Sequence, residues 1–341
     1  MSKKLKVAII GNGRIYPMHA DAISHLDQAE IVAHCDIILE RAEQAAAQYG
    51  GKAYQHYQDI DDVDVVHLCL PHGLHYEVGK HFAEKGIHVF TEKPIDVSSE
   101  KGRALIDVCE SNNVKFGVVF QNRFRKTNQH VKKLVENKTY GAVKGAKMTL
   151  TWDRSEAYYA STGWKGTWEL EGGGVIIDQA IHTLDFLNWV LGGNIESIDA
   201  RVSNRNHPHI EVEDTAEGII SYQEGFKLLF YASNNYSYDA EVEAEIHCEN
   251  AVLRMYGPTL YIYHPNKEVE IIDIDHEAEA KHAHEEKAYW GTTHVDQIKE
   301  FHDYLLGNRD DILVTGAEAL KTMKLVEGIY RSSTIQRKIN F

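Results

Sequence analysis

Cysteine is scarce in this chain, and the four residues that occur show no Cys-x-x-C spacing. Their scattered positions, mostly beside apolar neighbours in predicted strands or helices, give no sign of a disulfide framework. Small buried thiols of this kind are typical of a reducing compartment. The four positions are Cys35, Cys69, Cys109 and Cys248.

Long apolar runs and clusters of positive charge are also absent. No stretch reaches the 18 apolar residues that predict a membrane-spanning helix. Lysine and arginine number 36 against 51 aspartates and glutamates, a net charge of −15, and no basic cluster is long enough to follow a phosphate backbone. We therefore expect neither nucleic acid nor a membrane as a partner.

The amino-terminal residues offer no core of a signal peptide, because Met1 to Lys6 lead directly into a short apolar strand. We therefore expect a cytoplasmic protein.

The 20 histidines raise the question of a metal, but neither segment 207–209 nor the run of His276, His282 and His284 contains a helical His-x-x-x-His pair with a distal carboxylate. We expect no dedicated metal site.

The 341 residues are enough for two domains, each with its own core. Up to about residue 120, short apolar runs rich in β-branched residues alternate with helical segments, as in a doubly wound parallel sheet. The predicted strands are 7–10, 31–35, 63–70, 87–90 and 116–120, and the predicted helices are 17–26, 39–49, 76–85 and 99–111.

The pattern changes after Asn122. A helix at about 175–191 is followed by five or six extended runs between 195 and 274, which predict a large, mostly antiparallel open sheet, and two helices end the chain. The predicted fold class is therefore α/β for domain 1–122, a doubly wound parallel sheet, with an α+β second domain 123–341. The last helix is free to pack back on the first domain.

Gly11-Asn12-Gly13 follows the first strand and opens the first helix, the context of a dinucleotide phosphate turn. Tyr16 stands at the third glycine position, which is a departure from that pattern. Asp36 ends the second strand 25 residues after Gly11, where a carboxylate would bind the adenosine ribose. Because Ile37 and Ile38 follow it and neither offers a cation for a 2′-phosphate, the sequence favours NAD over NADP.

Two further segments end parallel strands, at Pro71 with His75 and at Glu92-Lys93-Pro94. A doubly wound sheet binds ligands at these carboxyl ends. Lys93 near a nicotinamide would have its protonated form disfavoured by desolvation and by the positive charge of the cofactor. The alternative is that Lys93 merely ends a strand near the surface.

Three glycines at 172–174 precede a helix that carries Asp178, His182 and Asp185 among apolar residues. At 3.6 residues per turn these three side chains share one face, and the glycines would let the backbone approach a ligand. The alternative is an ordinary i,i+4 pair on a capped helix.

An aromatic and cationic segment precedes these glycines in the chain and is suited to stacking on sugar rings and binding hydroxyls. Its members are Trp152, Arg154, Tyr158, Tyr159, Trp164, Lys165 and Trp168.

Taken in order and spacing, these motifs resemble the Gfo/Idh/MocA oxidoreductases, and the resemblance covers nearly the whole chain. The matching positions are Gly11, Gly13, Arg14, Ile15 and His19, Pro71 with His75, Glu92-Lys93-Pro94, the glycines 172–174 with Asp178 and His182, and the segment 212–216. The resemblance implies a Rossmann domain, a second domain whose open sheet is used for oligomerisation, and hydride transfer to or from a nicotinamide cofactor. It also implies an enzyme that acts on CH–OH groups of a sugar, glycoside or cyclitol. Because strands such as 227–233 carry apolar residues on both faces, we expect a homodimer or homotetramer.

The predicted catalytic residues are Lys93, Asp178 and His182. His182 is the better-tuned base at neutral pH and Lys93 would stabilise the reacting oxygen, although Lys93 could itself be the base. The predicted cofactor-binding residues are Gly11, Gly13, Arg14, Ile15, Asp36, Pro71, His75, Glu92, Lys93 and Gln121. The predicted substrate-binding residues are Lys93, Arg154, Trp164, Lys165, Asp178 and His182.

Two other functions remain open from the sequence. One is a redox-neutral enzyme that retains NAD, oxidises a ring hydroxyl and returns the hydride after cleavage or epimerisation. The other is an NAD-binding regulatory protein without turnover, against which the proton-transfer set argues. Neither the sugar nor the carbon oxidised is indicated.

Overall fold

The computed structural model describes residues 4–274 and 293–341, which form two compact units. Unit 1 contains the described residues up to Gln121 together with 293–320, and unit 2 contains 122–274 and 321–341. This division differs from a continuous second domain, because residues 293–320 cluster with unit 1. No helix in either described stretch is long and apolar enough to cross a membrane.

Unit 1 is built on a six-stranded sheet in the order β3-β2-β1-β4-β5-β6, with every neighbouring pair parallel. This is the Rossmann strand order, which confirms the predicted doubly wound sheet. Its strands are β1 (Leu5–Ile10), β2 (Ala29–Cys35), β3 (Lys52–Tyr54), β4 (Val65–Leu68), β5 (His88–Thr91) and β6 (Phe116–Val118). Its helices are α1 (Tyr16–Ser24), α2 (Leu39–Tyr49), α3 (His75–Glu84), α4 (Ser99–Ser111) and α8 (His294–Leu305), and α9 (Gly316–Ile335) begins here and ends in unit 2.

The unit 1 core lies on both faces of this sheet, as nearly continuous apolar strands require. All four residues of β4 are buried. Helix α8 packs on α1 and contributes Ile298 and Phe301 to one core cluster. Ser98 caps the start of helix α4, because its hydroxyl accepts a hydrogen bond from the Lys101 N–H at 3.2 Å.

Unit 2 contains a nine-stranded sheet in the order β14-β13-β12-β11-β7-β10-β9-β8-β15. Only β7 and β10 pair in parallel, so the expected mostly antiparallel sheet is confirmed. Its strands are β7 (Val143–Thr151), β8 (Ile195–Ser203), β9 (Thr215–Tyr222), β10 (Lys227–Ser233), β11 (Glu243–Cys248), β12 (Val252–Tyr256), β13 (Thr259–Tyr263), β14 (Val269–Ile272) and β15 (Ile339–Asn340).

The main helix of unit 2 starts as a π-helical turn, Ile176–Ala180, and continues as α7 (Ile181–Val190). Ile181, Leu184 and Leu187 are fully buried, as expected for a helix with apolar residues on most sides. Two shorter helices, α5 (Lys126–Glu136) and α6 (Glu156–Ala160), precede it.

One face of the unit 2 sheet is buried and the other leaves apolar side chains exposed. Along β10, Leu228 and Phe230 are buried, whereas Leu229 between them is 53% exposed. Leu229 pairs with Ile219 of β9, which is also exposed. Apolar side chains side by side on an open sheet face are typical of a surface that contacts another molecule.

Candidate active site

The glycine turn of unit 1 has the geometry of a phosphate-binding turn. Gly11 has φ of +94°, and a Cβ there would lie 2.4 Å from the Cys69 carbonyl oxygen, so no larger residue fits. A Cβ on Gly13 would meet nothing within 4 Å, which leaves open space beside the backbone. Ile15 directly precedes α1, and no side chain caps the N-terminus of that helix. These features fit the pyrophosphate of a dinucleotide.

Asp36 both holds this turn and supplies an acceptor beside it. Its Oδ2 accepts the Asn12 N–H and its Oδ1 accepts the Ile38 N–H, each at 2.9 Å. Each carboxylate oxygen keeps a second lone pair for another donor, as ribose binding requires. Ile37 is 83% exposed and carries no charge. The residues present therefore fit an adenosine ribose without a 2′-phosphate.

Tyr16, the departure from the third glycine, packs away from the turn. Its ring meets Tyr49 edge to face at 6.2 Å, and the Tyr49 hydroxyl donates to Asp21 at 2.7 Å. The larger side chain is thus accommodated between α1 and the end of α2. Arg14, in the same turn, is exposed.

His75 links the two strand-end segments of unit 1. Its buried ring places Nδ1 2.9 Å from the Pro94 carbonyl oxygen and Nε2 3.2 Å from the Leu70 carbonyl oxygen. Pro71 lies between Leu70 and His75 at the start of a short 3-10 turn. Since both ring nitrogens face backbone carbonyls, His75 acts on the site by holding the Glu92-Lys93-Pro94 segment in position.

Glu92 is buried and receives several donors, whereas Lys93 is half-buried. His19 and His294 approach Glu92 Oε1 at 2.9 and 3.3 Å, and the Lys93 N–H donates to Oε2 at 3.3 Å. Burial alone would raise the pKa of Glu92, but the two histidine hydrogen bonds lower it well below its ordinary value. Gln121, also buried, accepts the Thr293 hydroxyl on its backbone carbonyl at 2.8 Å.

In unit 2, Asp178 is the centre of a compact polar group on the π-helical turn, a distortion often found at functional sites. Its Oδ2 accepts the Tyr158 hydroxyl at 2.9 Å, the Gln179 side-chain amide at 2.6 Å and the Lys165 ammonium. Asp178, Tyr158, Lys165, Gln179 and Glu171 are named here the Asp178 cluster. The structure thus brings Asp178 and Lys165 together, as the sequence predicts for one site.

Lys165 lies between two carboxylates. Its side chain is only 8% exposed and its Nζ is 3.5 Å from Glu171 Oε1 as well as in contact with Asp178. Burial alone would lower the pKa of Lys165, but Asp178, Tyr158 and Glu171 together raise it. Burial and then repulsion by Asp178 raise the pKa of Glu171 to about 8. The buried Lys165 ammonium thus contacts Asp178, while burial favours the neutral form of Glu171.

Sequence reasoning missed Glu171, Gln179 and Asn234. The Asn234 side-chain amide donates to the Tyr159 hydroxyl at 3.0 Å and to Gln179 Oε1 at 2.9 Å, which fixes the amide that binds Asp178. Gln179 directly follows Asp178 in the chain, a signal that could have found it. Asn234 has no such signal, because it reaches the cluster only through the end of β10.

Arg154 and Trp164, predicted for substrate binding, have protein partners. Arg154 is buried and donates to both carboxylate oxygens of Asp239 at 3.0 Å, with its guanidinium 4.7 Å from the Trp152 ring centre. The Trp164 ring lies 4.6 Å from Lys165 Nζ. The rings of Trp152 and Trp164 therefore pack against the cationic groups of Arg154 and Lys165.

His182 lies on α7 one turn beyond Asp178 and is partly exposed. Asp185, placed on the same face by sequence reasoning, has a different role. Its two carboxylate oxygens accept Arg123 Nε and a terminal guanidinium nitrogen, each at 2.8 Å, and Oδ1 also accepts the Thr322 hydroxyl at 2.6 Å. Asp185 is thus half of a buried structural ion pair.

The glycines before this helix also differ from expectation. A Cβ on Gly173 would lie 2.0 Å from the Tyr330 hydroxyl, and one on Gly174 would lie 1.8 Å from the Glu213 carbonyl oxygen. The Glu213 carboxylate accepts the N–H groups of Gly174 and Ile176 at 2.9 and 3.1 Å. These two glycines therefore permit packing against the protein itself, whereas we expected them to admit a ligand.

The histidines His276, His282 and His284, considered for a metal, lie outside the described residues. His207, from the other group considered, places Nδ1 2.9 Å from Asp214 Oδ2 and Nε2 2.6 Å from the Arg154 carbonyl oxygen. Both its ring nitrogens are thus engaged by protein acceptors.

Two family models match the chain in succession. The model described as "Oxidoreductase family, NAD-binding Rossmann fold" matches residues 5–120, and the "GFO/IDH/MocA C-terminal domain" matches residues 128–254. Together they cover most of the chain.

Curated relatives include sugar and cyclitol dehydrogenases. D-glucoside 3-dehydrogenase of Escherichia coli is 32% identical over 56% of this chain and 55% of that enzyme, and inositol 2-dehydrogenase of Rhizobium meliloti is 29% identical over 58% of each. The match thus spans little more than half the length of these two relatives. Among solved structures, the WlbA dehydrogenase of Bordetella pertussis in complex with NADH and UDP-GlcNAcA is 26% identical, with a TM-score of 0.86 over 99% of both chains. The chain therefore belongs to the Gfo/Idh/MocA family of oxidoreductases, with an NAD-binding Rossmann domain.

Proposed function

We propose that this protein transfers a hydride between a secondary hydroxyl of a sugar, glycoside or cyclitol and NAD. The Asp178 cluster is the observation that carries the proposal. A carboxylate held by a tyrosine hydroxyl, an ammonium and an amide is preorganised to accept further hydroxyl donors, which a polyol supplies. The names of the glucoside and inositol dehydrogenases among the relatives support this substrate class.

Bound NAD supplies the hydride acceptor at its nicotinamide. In our proposal, His182 removes the hydroxyl proton, because an imidazole titrates near neutral pH. Lys93 donates a hydrogen bond to the reacting oxygen and stabilises its developing negative charge. Asp178 accepts a substrate hydroxyl and so orients the ring. Lys93 as the base remains the alternative assignment.

The cofactor preference is also part of the proposal. Asp36 lies where it would accept ribose hydroxyls, and its carboxylate would repel a 2′-phosphate. We therefore propose NAD in preference to NADP.

Two further properties are proposed on the same basis. The exposed apolar face around Leu229 and Ile219 supports a homodimer or homotetramer formed through the unit 2 sheet. The four cysteines are all free, which supports a cytoplasmic location.

The test is a screen of free sugars, inositols, glycosides and nucleotide sugars, with NADH absorbance and product analysis recorded in parallel. Accumulation of NADH with an active substrate is the expected result. Conversion of the substrate without free NADH would instead identify the redox-neutral enzyme that retains NAD. Binding of NAD without conversion of any compound would overturn the proposal in favour of a regulatory protein. A Lys93→Met protein is the inactive control.

A further inference from the structure

Four buried histidines and Glu92 form a continuous hydrogen-bonded series in unit 1, which we call the histidine chain. Its order is His302, His67, His19, Glu92 and His294. Successive ring contacts are His302 Nε2 to His67 Nε2 at 3.0 Å and His67 Nδ1 to His19 Nδ1 at 2.9 Å. His19 Nε2 and His294 Nε2 then meet Glu92 Oε1 at 2.9 and 3.3 Å. These side chains come from α8, β4, α1 and the residue after β5.

The direction of these hydrogen bonds follows from counting donors and acceptors. A neutral imidazole has one N–H and one lone pair. If the ionised Glu92 accepts from His19 Nε2–H, then His19 Nδ1 is an acceptor and His67 Nδ1 must donate to it. His67 Nε2 is then an acceptor and His302 Nε2 donates. Every N–H in the series therefore points towards Glu92.

The ends of the series favour this direction over its reverse. His302 Nδ1 and His294 Nδ1 are buried and have no hydrogen-bond partner among residues 4–274 and 293–341. In the stated direction each carries an unused lone pair, whereas the reverse direction would put a buried N–H on His302 Nδ1. An orphaned buried N–H is the rarer arrangement. Burial also lowers the pKa of His19 and His67, and lowers that of His302 to about 3, so these three rings are neutral.

We propose that the histidine chain is a directional hydrogen-bond relay that fixes the Glu92 carboxylate and, through the Lys93 N–H, positions Lys93. His302 is then a remote positioning residue, because its N–H satisfies His67 Nε2 and so supports the tautomers that Glu92 sets in His19 and His67. The functional part of this inference rests on the role proposed above for Lys93. The other titratable groups near the series are Cys69 beside Glu92 and Asp303 beside His302.

A bound metal ion is the competing explanation for part of the same geometry. The ligand atoms of His19, Glu92 and His294 all lie within 4.8 Å of one another. A metal would require both Nε2 atoms to be deprotonated, which places an N–H on each Nδ1. For His294 that N–H would be buried without an acceptor in the described chain. The relay and the metal therefore predict opposite tautomers for His19.

Nitrogen-15 NMR of histidine-labelled full-length protein separates these explanations. The relay predicts His67 as the Nδ1–H tautomer and His19, His294 and His302 as Nε2–H tautomers. The spectrum is recorded before and after addition of Zn²⁺ and again with excess chelator. An Nδ1–H tautomer at His19, or a stoichiometric zinc ion that shifts its signals, would overturn the relay. This measurement needs no substrate, so its outcome is independent of the proposed enzymatic function.

A pair of variants at His302 tests the effect on Lys93. His302→Phe removes the terminal donor, and we expect kcat to fall about 3-fold to 10-fold with KM for NAD unchanged within about 2-fold, as for loss of one hydrogen bond. His302→Gln keeps an N–H donor and should restore the kcat. His88→Gln, at a half-buried histidine outside the series, is the matched control. Unchanged kcat in folded His302→Phe would refute the positioning role.

Discussion

Asp36 should set the preference for NAD, and its structural contacts allow the effect to be separated into two parts. A 2′-phosphate about 5 Å from the carboxylate would be repelled by roughly 3 kcal/mol per unit charge at an effective dielectric constant of about 20. Screening by solvent reduces this figure, so we expect NAD to bind at least about tenfold more tightly than NADP, or about 1.4 kcal/mol.

Two substitutions separate the effect of the negative charge of Asp36 from the effect of its hydrogen bonds. Asp36→Asn removes the charge but keeps one side-chain oxygen as an acceptor for the Asn12 N–H. Asp36→Ala removes the charge and both contacts to Asn12 and Ile38, each worth about 1 kcal/mol. Both variants should reduce the difference in affinity between NAD and NADP. Only Asp36→Ala should also lower the affinity for NAD strongly, because the glycine turn loses the side chain that holds it.

Calorimetric titration of NAD and NADP into each protein measures these effects. Glu40→Gln is the matched control, because it removes an exposed charge of the same sign from the start of α2 without touching the turn. Equal affinities for NAD and NADP in the unmutated protein would refute the assignment of Asp36. A Glu40→Gln effect as large as that of Asp36→Asn would show that net charge alone sets the preference.

The remaining predictions concern catalysis, stability and assembly. Lys93→Met and His182→Ala should each lower kcat by roughly 10² to 10⁴ with NAD affinity within a few-fold, and full activity in the folded variants would place the chemistry elsewhere. Asp185→Asn should reduce the free energy of unfolding by about 3 to 5 kcal/mol in urea titrations, since it leaves a buried guanidinium without its anion, and a loss below about 1 kcal/mol would contradict this role. Leu229→Glu should convert a dimer or tetramer to monomers in light scattering, whereas a monomeric unmutated protein would exclude that interface. Because burial lowers the pKa of His302 to about 3, the unfolded chain takes up a proton below about pH 6.5 that the folded chain does not. The free energy of unfolding should therefore fall by about 1.4 kcal/mol per pH unit on account of His302 as the pH drops from about 6.5 towards 3. In His302→Phe, the slope of the free energy of unfolding against pH should correspond to the uptake of one proton fewer.

The parallel sheet of unit 1 could be predicted from sequence because its strands are buried on both faces. Five of the six strands coincide with short apolar runs. The exception is β3, Lys52–Tyr54, which has three residues that are exposed or half-buried and so carries no apolar signature. Strand β3 pairs in parallel only with β2 at the edge of the sheet, where burial is not required.

The start of the long helix in unit 2 shows a limit of periodicity arguments. Spacing at 3.6 residues per turn assumed a regular α-helix through Asp178, but residues 176–180 form a wider π turn. The N–H groups of Gly174 and Ile176 bind the side chain of Glu213, 37 or more residues along the chain. A turn shaped by so remote a partner leaves no signal in the local sequence.

The two aspartates of this helix show why the roles of site residues are harder to predict than their positions. Asp178 and Asp185 are both acidic, both buried and both expected on one helix face. Their difference lies in their partners: Asp185 meets Arg123 across 62 residues in a bidentate pair that leaves little capacity for a ligand, whereas Asp178 meets Lys165 and hydroxyl or amide donors. Since a local pattern reports burial and helical phase but not which cation arrives from elsewhere, it identifies candidate carboxylates without separating a structural ion pair from a substrate anchor. Exchanging Asp178 and Asp185 for asparagine one at a time therefore tests the distinction. The first should lower kcat far more than stability, because Glu171 still faces the Lys165 ammonium, whereas the second should lower stability in an active protein.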